Sequence, residues 1–118
     1  MPPDRIPTSE LPLKPDVLQI LLTLAQGPLH GYAVMQQIEE STDGAVVMQA
    51  GAFYRTLRNM LADGIVEECD DPAPTGRDRK ARRFYRITRS GRAVAHAEVQ
   101  RLSQLVRLGH RQLGRRRS

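Results

Sequence analysis

The chain has 118 residues, a single cysteine, no tryptophan and a net charge of +5. That length allows one domain with a modest core and excludes a second catalytic lobe, and a lone cysteine excludes a disulfide framework and points to a reducing cytoplasm. The N-terminal MPPDRIPTSELPLKP lacks a basic segment followed by an apolar one, and the longest apolar run, around Val17 to Ala25, is too short to span a bilayer, so a soluble cytoplasmic protein with no membrane partner is expected.

In chain order, residues 1–11 show no periodicity and read as a disordered N-terminus. Pro15 suits a first helical turn, and after it Val17, Leu18, Leu21, Leu22 and Ala25 recur at three- and four-residue steps, an amphipathic helix ending at Gly27-Pro28. HGYAVMQQIEESTDG follows closely as a second helix. It places Val34, Met35 and Ile38 on one face and stops at Asp43-Gly44. The short β-branched run Ala45 to Met48 fits a small strand or an extended turn.

Helical spacing resumes in QAGAFYRTLRNMLADG. At about 100° per residue, Phe53, Leu57, Met60 and Leu61 gather on one side while Gly51, Arg55, Arg58, Asn59 and Ala62 point to the other, with Gly64 placed to end the helix. IVEEC then reads as a strand, DDPAPTGRDRKA as a turn-rich loop and RRFYRIT as a returning strand with Tyr85 and Ile87 on one face. Thr88 or Ser90 can cap a last helix that runs to about Leu113. Its Ala95, Val99, Leu102, Val106, Gly109 and Leu113 step alternately by four and three, with Leu105 beside them. Such a stripe needs a covering surface, either a second copy of the chain or the chain's own first helix.

Charge is segregated along this order. Residues 1–71 carry four basic side chains (Arg5, Lys14, Arg55 and Arg58) against eleven acidic ones, whereas residues 72–118 carry fourteen against two. A gathered positive field suits a polyanion, most simply nucleic acid, and equally suits a solvated surface; charge alone does not choose. The element order does more. Three helices followed by a hairpin make a helix-turn-helix with a wing, in which the third helix enters the major groove and the hairpin tip reaches flanking backbone or minor groove. Arg55 and Arg58 share the exposed face of that helix, and Gly51 lets backbone approach closely. Arg77, Arg79, Lys80, Arg82 and Arg83 occupy the tip and upper strand of the hairpin, anchored by Phe84, Tyr85 and Ile87, a pattern that a disordered tail does not need. Only the run from Arg115 to Arg117 is tail-like.

GPLHGYAVMQQIEE from Gly27, GAFYRTLRNMLADGIVEE from Gly51 and RRFYRITRSGR from Arg82 together resemble the PadR-type transcriptional regulators in their short form, over roughly residues 12–112. The resemblance implies an α+β, mostly helical fold: a winged helix-turn-helix over residues 12–88, a long C-terminal dimerisation helix over 89–113 and a basic tail over 114–118. It further implies a homodimer that represses nearby genes from a pseudo-palindromic operator in double-stranded DNA, released in some members by a small-molecule effector. By residue, it assigns His30, Gly31 and Tyr32 to the start of the second helix, where they look structural. To DNA it assigns Gln49, Gly51, Ala52, Tyr54 and the exposed side of the third helix, and to the wing the stretch from Gly76 to Arg83. The dimer would rest on Val99, Leu102, Leu105, Val106, Gly109 and Leu113. The family often has Pro-Gly-Thr at the start of the recognition helix and a proline after the tyrosine, where this chain has Ala50-Gly51-Ala52 and Arg55.

Other chemistry finds little support in these residues. His30, His96 and His110 have no metal-ligand spacing with Cys69 or one another. Glu67, Glu68, Asp70 and Asp71 are expected to raise the Cys69 thiol pKa by like charge and so to disfavour the reactive thiolate. No nucleophile-base arrangement, phosphate-cradling loop or paired-carboxylate site stands out, so neither catalysis nor a cofactor is expected. Two further binding readings compete with the regulator: a winged-helix protein-interaction module with only non-specific DNA affinity, and an RNA-binding domain, for which two phenylalanines and three tyrosines leave no spare stacking platform.

Overall fold

The computed structural model describes residues 11–72 and 83–114. The elements run α1 (Pro15–Leu24), β1 (Leu29–His30), α2 (Gly31–Ser41), α3 (Ala50–Ala62), β2 (Val66–Cys69), β3 (Phe84–Ile87) and α4 (Arg89–Leu113). The three helices before the hairpin, the hairpin itself and the long last helix are those expected from the spacing of apolar residues, and the architecture is a mostly helical winged helix-turn-helix.

The core joins one stripe from each helix to the inner face of the sheet. Ile20, Leu21 and Leu24 of α1, Val34 and Ile38 of α2, Phe53, Leu57 and Met60 of α3, and Val94 and Ala95 of α4 are buried with Ile65, Val66 and Tyr85. Side chains of this size stabilise the fold by about 1.5–3 kcal/mol each when fully buried, so these stripes dominate its stability. Polar ties fix how the helices cross. Thr56 donates to Asp16 Oδ2 at 3.0 Å, joining α3 to α1, and Arg92 donates to the Ala25 carbonyl at 3.1 Å, joining α4 to the end of α1.

Several boundaries differ from expectation for local reasons. α1 ends at Leu24, before Gly27-Pro28, because Gly27 takes φ 149° and the chain must turn into a strand. Its buried face is rotated: Ile20, Leu21 and Leu24 point inward with Thr23, whereas Leu22 is 43% exposed. Ala45 to Met48 forms no strand; it is an extended link, begun where Asp43 and Gly44 adopt positive φ and where Val46 N–H donates to Thr42 Oγ1. Leu61 is half-buried, outside the fully buried row of α3.

The sheet has three antiparallel strands in the order β1-β3-β2. β1 was not legible in the sequence, since two residues carry no alternation. It pairs Leu29 with Tyr85 and His30 with Phe84, while β2 sets Val66 against Ile87, Glu67 against Arg86, Glu68 against Tyr85 and Cys69 against Phe84. The hairpin is therefore stitched on both sides of β3 to the helical core. At its base Thr88 caps α4 by accepting from Gly91 N–H, and its hydroxyl donates to the Gly64 carbonyl at 2.7 Å.

Candidate nucleic-acid interface

α3 presents its polar face because its apolar one is consumed. Phe53, Leu57 and Met60 are at most 2% exposed, and a helical turn of 3.6 residues then obliges Gly51, Arg55, Arg58, Asn59 and Ala62 to face solvent, as they do. Gln49 is the N-cap residue and makes no side-chain cap, and the first turn holds no acidic residue. Gln49 and Ala52 are also exposed, and a methyl group at Gly51 would meet nothing within 4 Å. Gln49, Gly51, Ala52, Arg55 and Arg58 thus share one open surface. Its two guanidiniums can make forked hydrogen bonds to phosphate or to a base edge.

Tyr54 lies at the edge of this surface, 37% exposed. Its ring packs edge-on against Phe53, with centroids 4.9 Å apart, and lies over the backbone of Gly31, where a β-carbon would stand 2.9 Å from Tyr54 Cε1. Gly31 is therefore required by the tyrosine of another helix rather than by its own backbone angles. His30 precedes it as the N-cap of α2, its Nδ1 accepting from Ala33 N–H at 3.3 Å and its ring edge-on to Phe84. Together His30, Gly31, Tyr32, Tyr54, Arg83 and Tyr85 line a notch of about 370 Å³ beside the N-terminal half of α3.

Arg83 is where the described part of the wing resumes. Its guanidinium, largely exposed, pairs with Glu68 at 3.4 Å, and one step on, Arg86 pairs with Glu67 at 2.6 Å across the strands. Exposed pairs of this kind are weak, so neither arginine is locked away from another anion. Arg77, Arg79, Lys80 and Arg82, expected at the wing, lie outside the described residues, as do residues 1–10 and Arg115 to Ser118.

The Cys69 thiol is indeed pushed above its ordinary range, but burial is the main cause; Asp70 and Glu67 add to it and Arg86 opposes it. Like charge was thus the smaller part of the reason. No group of three or more His, Cys, Asp or Glu among the described residues is placed to hold a metal ion, and none of their helices is long and apolar enough to cross a membrane.

The stripe on α4 divides. Ala95 is buried and Leu102 and Gly109 are partly covered, whereas Val99, Leu105, Val106 and Leu113 are 41–88% exposed. Near the start of the stripe, Leu22, Ala25, Ile87, Arg92, Ala95, His96 and Val99 line a groove of about 290 Å³ between α1 and α4. Sequence reasoning missed the residue that ends the packed part of the helix. Glu98 is 2% exposed, accepts from Arg101 Nε at 2.6 Å and Nη2 at 2.9 Å, and accepts from Leu13 N–H at 3.1 Å, tying the segment before α1 to α4. The Arg101 hydrogen bonds hold its carboxyl below the usual range, against the effect of burial. The signal was present: Glu98 is one of only two acids after residue 71, and it interrupts an apolar stripe.

Comparison with known proteins places this geometry. The model of the transcriptional regulator PadR-like family matches residues 20–97. A transcriptional regulator of Clostridium thermocellum superposes with a TM-score of 0.69 at 19% identity, covering 81% of this chain and 87% of that one. A PadR-like regulator of Bacillus cereus gives 0.69 at 19%, covering 85% and 92%. Bacillus subtilis PadR, in a crystal with its operator DNA, gives 0.63 at 20%, covering 75% of this chain and 48% of that one. No curated protein matches.

Proposed function

The chain belongs to the PadR-like family of transcriptional regulators, and on that premise we propose that it is a homodimeric, sequence-reading repressor of transcription with no catalytic role. Residues 12–88 form the DNA-binding winged helix and 89–113 the dimerisation helix, followed by a basic tail. The observation that carries this reading is α3: three fully buried apolar side chains force Gly51, Arg55 and Arg58 onto one open face, beside a notch that Arg83 helps to line. Gln49, Gly51, Ala52, Tyr54, Arg55 and Arg58 would meet the major groove, with Arg77, Arg79, Lys80, Arg82 and Arg83 on flanking backbone or minor groove.

A second copy would cover Val99, Leu102, Leu105, Val106, Gly109 and Leu113, and two such domains on a two-fold axis read a pseudo-palindromic operator. That copy would also roof the groove between α1 and α4. With Leu22, Ala25, Ile87 and Val99 on its walls, the closed groove suits an aliphatic effector that relieves repression, rather than a flat aromatic one needing a stacking partner.

Fluorescence anisotropy on DNA from upstream of its own gene, against scrambled DNA at several salt concentrations, tests the reading. Selective binding is expected, with a log–log salt slope of about −0.9 per neutralised phosphate, together with a loss of roughly tenfold or more in Arg58→Ala. Weak, equal binding to both DNAs that ignores Arg58→Ala would favour the protein-interaction module.

A further inference from the structure

The notch beside α3 brings Tyr85, which the DNA-binding reading leaves unused, against Tyr54 and Arg83, which it employs. Strand alternation puts Arg83 on the same face of β3 as Tyr85, and cross-strand pairing puts Glu68 directly opposite Tyr85 on that face. Arg83 and Tyr85 of that sheet face line the notch where α2 and α3 meet, and Glu68 stands beside them without lining it. Across from them stands the Tyr54 ring, its hydroxyl end lying over the backbone of Gly31 in the space that a β-carbon there would take. Arg83 and the tyrosine hydroxyls give this largely apolar opening its polar donors, and it lies beside the exposed face that carries Arg55 and Arg58.

Burial holds the Tyr85 hydroxyl above its ordinary range, with Glu68 and Tyr54 pushing the same way and Arg83 pulling back, so the four groups feel one another and the phenol stays protonated at neutral pH. A neutral phenol donates a hydrogen bond, as does the Tyr54 hydroxyl, and a guanidinium donates two in parallel. That donor set suits a tetrahedral dianion or a phosphodiester oxygen pair. Glu68 already engages it, through a 3.4 Å pair with Arg83 that is open to water on both sides, and the Tyr85 hydroxyl also lies within hydrogen-bonding reach of Arg83.

We infer that this notch seats one phosphate of the DNA backbone, held by Arg83 and the Tyr54 hydroxyl, and that Glu68 competes with that phosphate for Arg83. The inference rests on the DNA-binding reading and deepens it. A phosphate on Arg83 draws the guanidinium away from this weak pair, so Glu68 lowers affinity for all sequences and leaves discrimination to α3. The intramolecular carboxylate acts as a resident substitute for the phosphate, and replacing one by the other costs little because both offer paired oxygens to the guanidinium.

A double-mutant cycle on the full chain separates this from general charge effects. Anisotropy would be measured on upstream and scrambled DNA for the wild type, Glu68→Gln, Arg83→Ala, Tyr54→Phe and the Glu68→Gln/Arg83→Ala double variant, with thermal melting as the check on folding. Glu68→Gln should bind both DNAs about two- to fivefold more tightly, and its salt slope should steepen by up to about 0.9, one phosphate's worth. Tyr54→Phe keeps the ring on Phe53 and Gly31, and should lose roughly threefold to tenfold on both DNAs with no change in melting. In the Arg83→Ala background the Glu68→Gln gain should vanish.

A gain that persists without Arg83 would mean that Glu68 acts through bulk charge, and would overturn the competition. An unaffected Tyr54→Phe would overturn the seat. If the wild type binds neither DNA, the DNA-binding reading falls and this inference with it; if the wild type binds and these variants are neutral, only the inference falls.

Discussion

Between Arg89 and Glu98, α4 packs on the domain beneath it, whereas between Val99 and Leu113 the same helix carries its apolar side chains into solvent. In the first half Gly91, Val94, Ala95 and Glu98 are buried, Thr88 caps the first turn and Arg92 reaches α1. In the second half, among the described residues, none is fully buried, and Leu105, Val106 and Leu113 are more than half exposed. One continuous hydrogen-bond ladder runs through both. Helix formation propagates cheaply once nucleated, so a core that holds the first turns also holds out a stripe that it does not itself cover. The difference teaches that the stripe's period runs on past the surface this chain itself covers, and on the proposed reading a second copy supplies the rest.

The largest expected effect breaks the packed half. A β-carbon at Gly91 would overlap the Ile65 carbonyl and stand 2.9 Å from Ile87 Cγ1, and a backbone carbonyl cannot swing aside as a flexible side chain would. Gly91→Ala should therefore cost about 3 kcal/mol or more, read as a large fall in the denaturation midpoint. If Gly91→Ala melts like the wild type, the tight junction between α4 and the hairpin is wrong. By contrast Gly109, in the outer half, has nothing within 4 Å of its β-position, and Gly109→Ala should leave monomer packing intact.

Charging the outer half comes next. Val106→Asp places a carboxylate in the stripe at a residue 57% exposed in the single chain. It should leave the far-ultraviolet spectrum unchanged and shift sedimentation at micromolar concentration from dimer to monomer. A wild type that sediments as a monomer near 13 kDa would remove the reason for the stripe altogether.

Smaller still is Glu98, at the border between the halves. Its folded carboxyl titrates below its unfolded counterpart, so at acidic pH the unfolded chain binds the proton first and stability rises with pH. The contribution is complete above the ordinary carboxylate range and is lost as pH falls through the depressed folded value. Glu98→Gln should cost about 1–2 kcal/mol near neutrality and flatten that part of the acid denaturation curve. An unchanged acid limb would mean that Leu13 and Arg101 find no net support there. The smallest effect belongs to Leu113, 88% exposed at the last turn, where Leu113→Ser should move monomer stability by no more than about 0.5 kcal/mol.

Much of this was legible because local periodicity and burial agree. The buried row Phe53, Leu57 and Met60 and the exposed row Gly51, Arg55 and Arg58 follow from one helical period, and Tyr85 inward with Arg86 outward follows from strand alternation. Reading failed where a residue's place depends on a distant neighbour. Leu22 has the right spacing for the core of α1 yet faces outward, because the crossing of α1 with α4 sets which part of a broad apolar arc is covered. The two-residue strand Leu29–His30 exists only because β3 offers it an edge.

By itself, then, the amino-acid order determined the sequence of helices and hairpin, the polarity of α3 and the reach of the α4 stripe, since each depends on spacings within a few residues. Tertiary structure alone decided what Gly31 and Gly91 are for, why a lone acid sits in an apolar stripe, and which carboxylate meets Arg83. Gly31 answers to Tyr54, Gly91 to the Ile65 carbonyl, Glu98 to Leu13, and Arg83 to Glu68. These contacts join residues far apart along the chain, and no local period encodes a partner that only the packing of separate elements brings within reach.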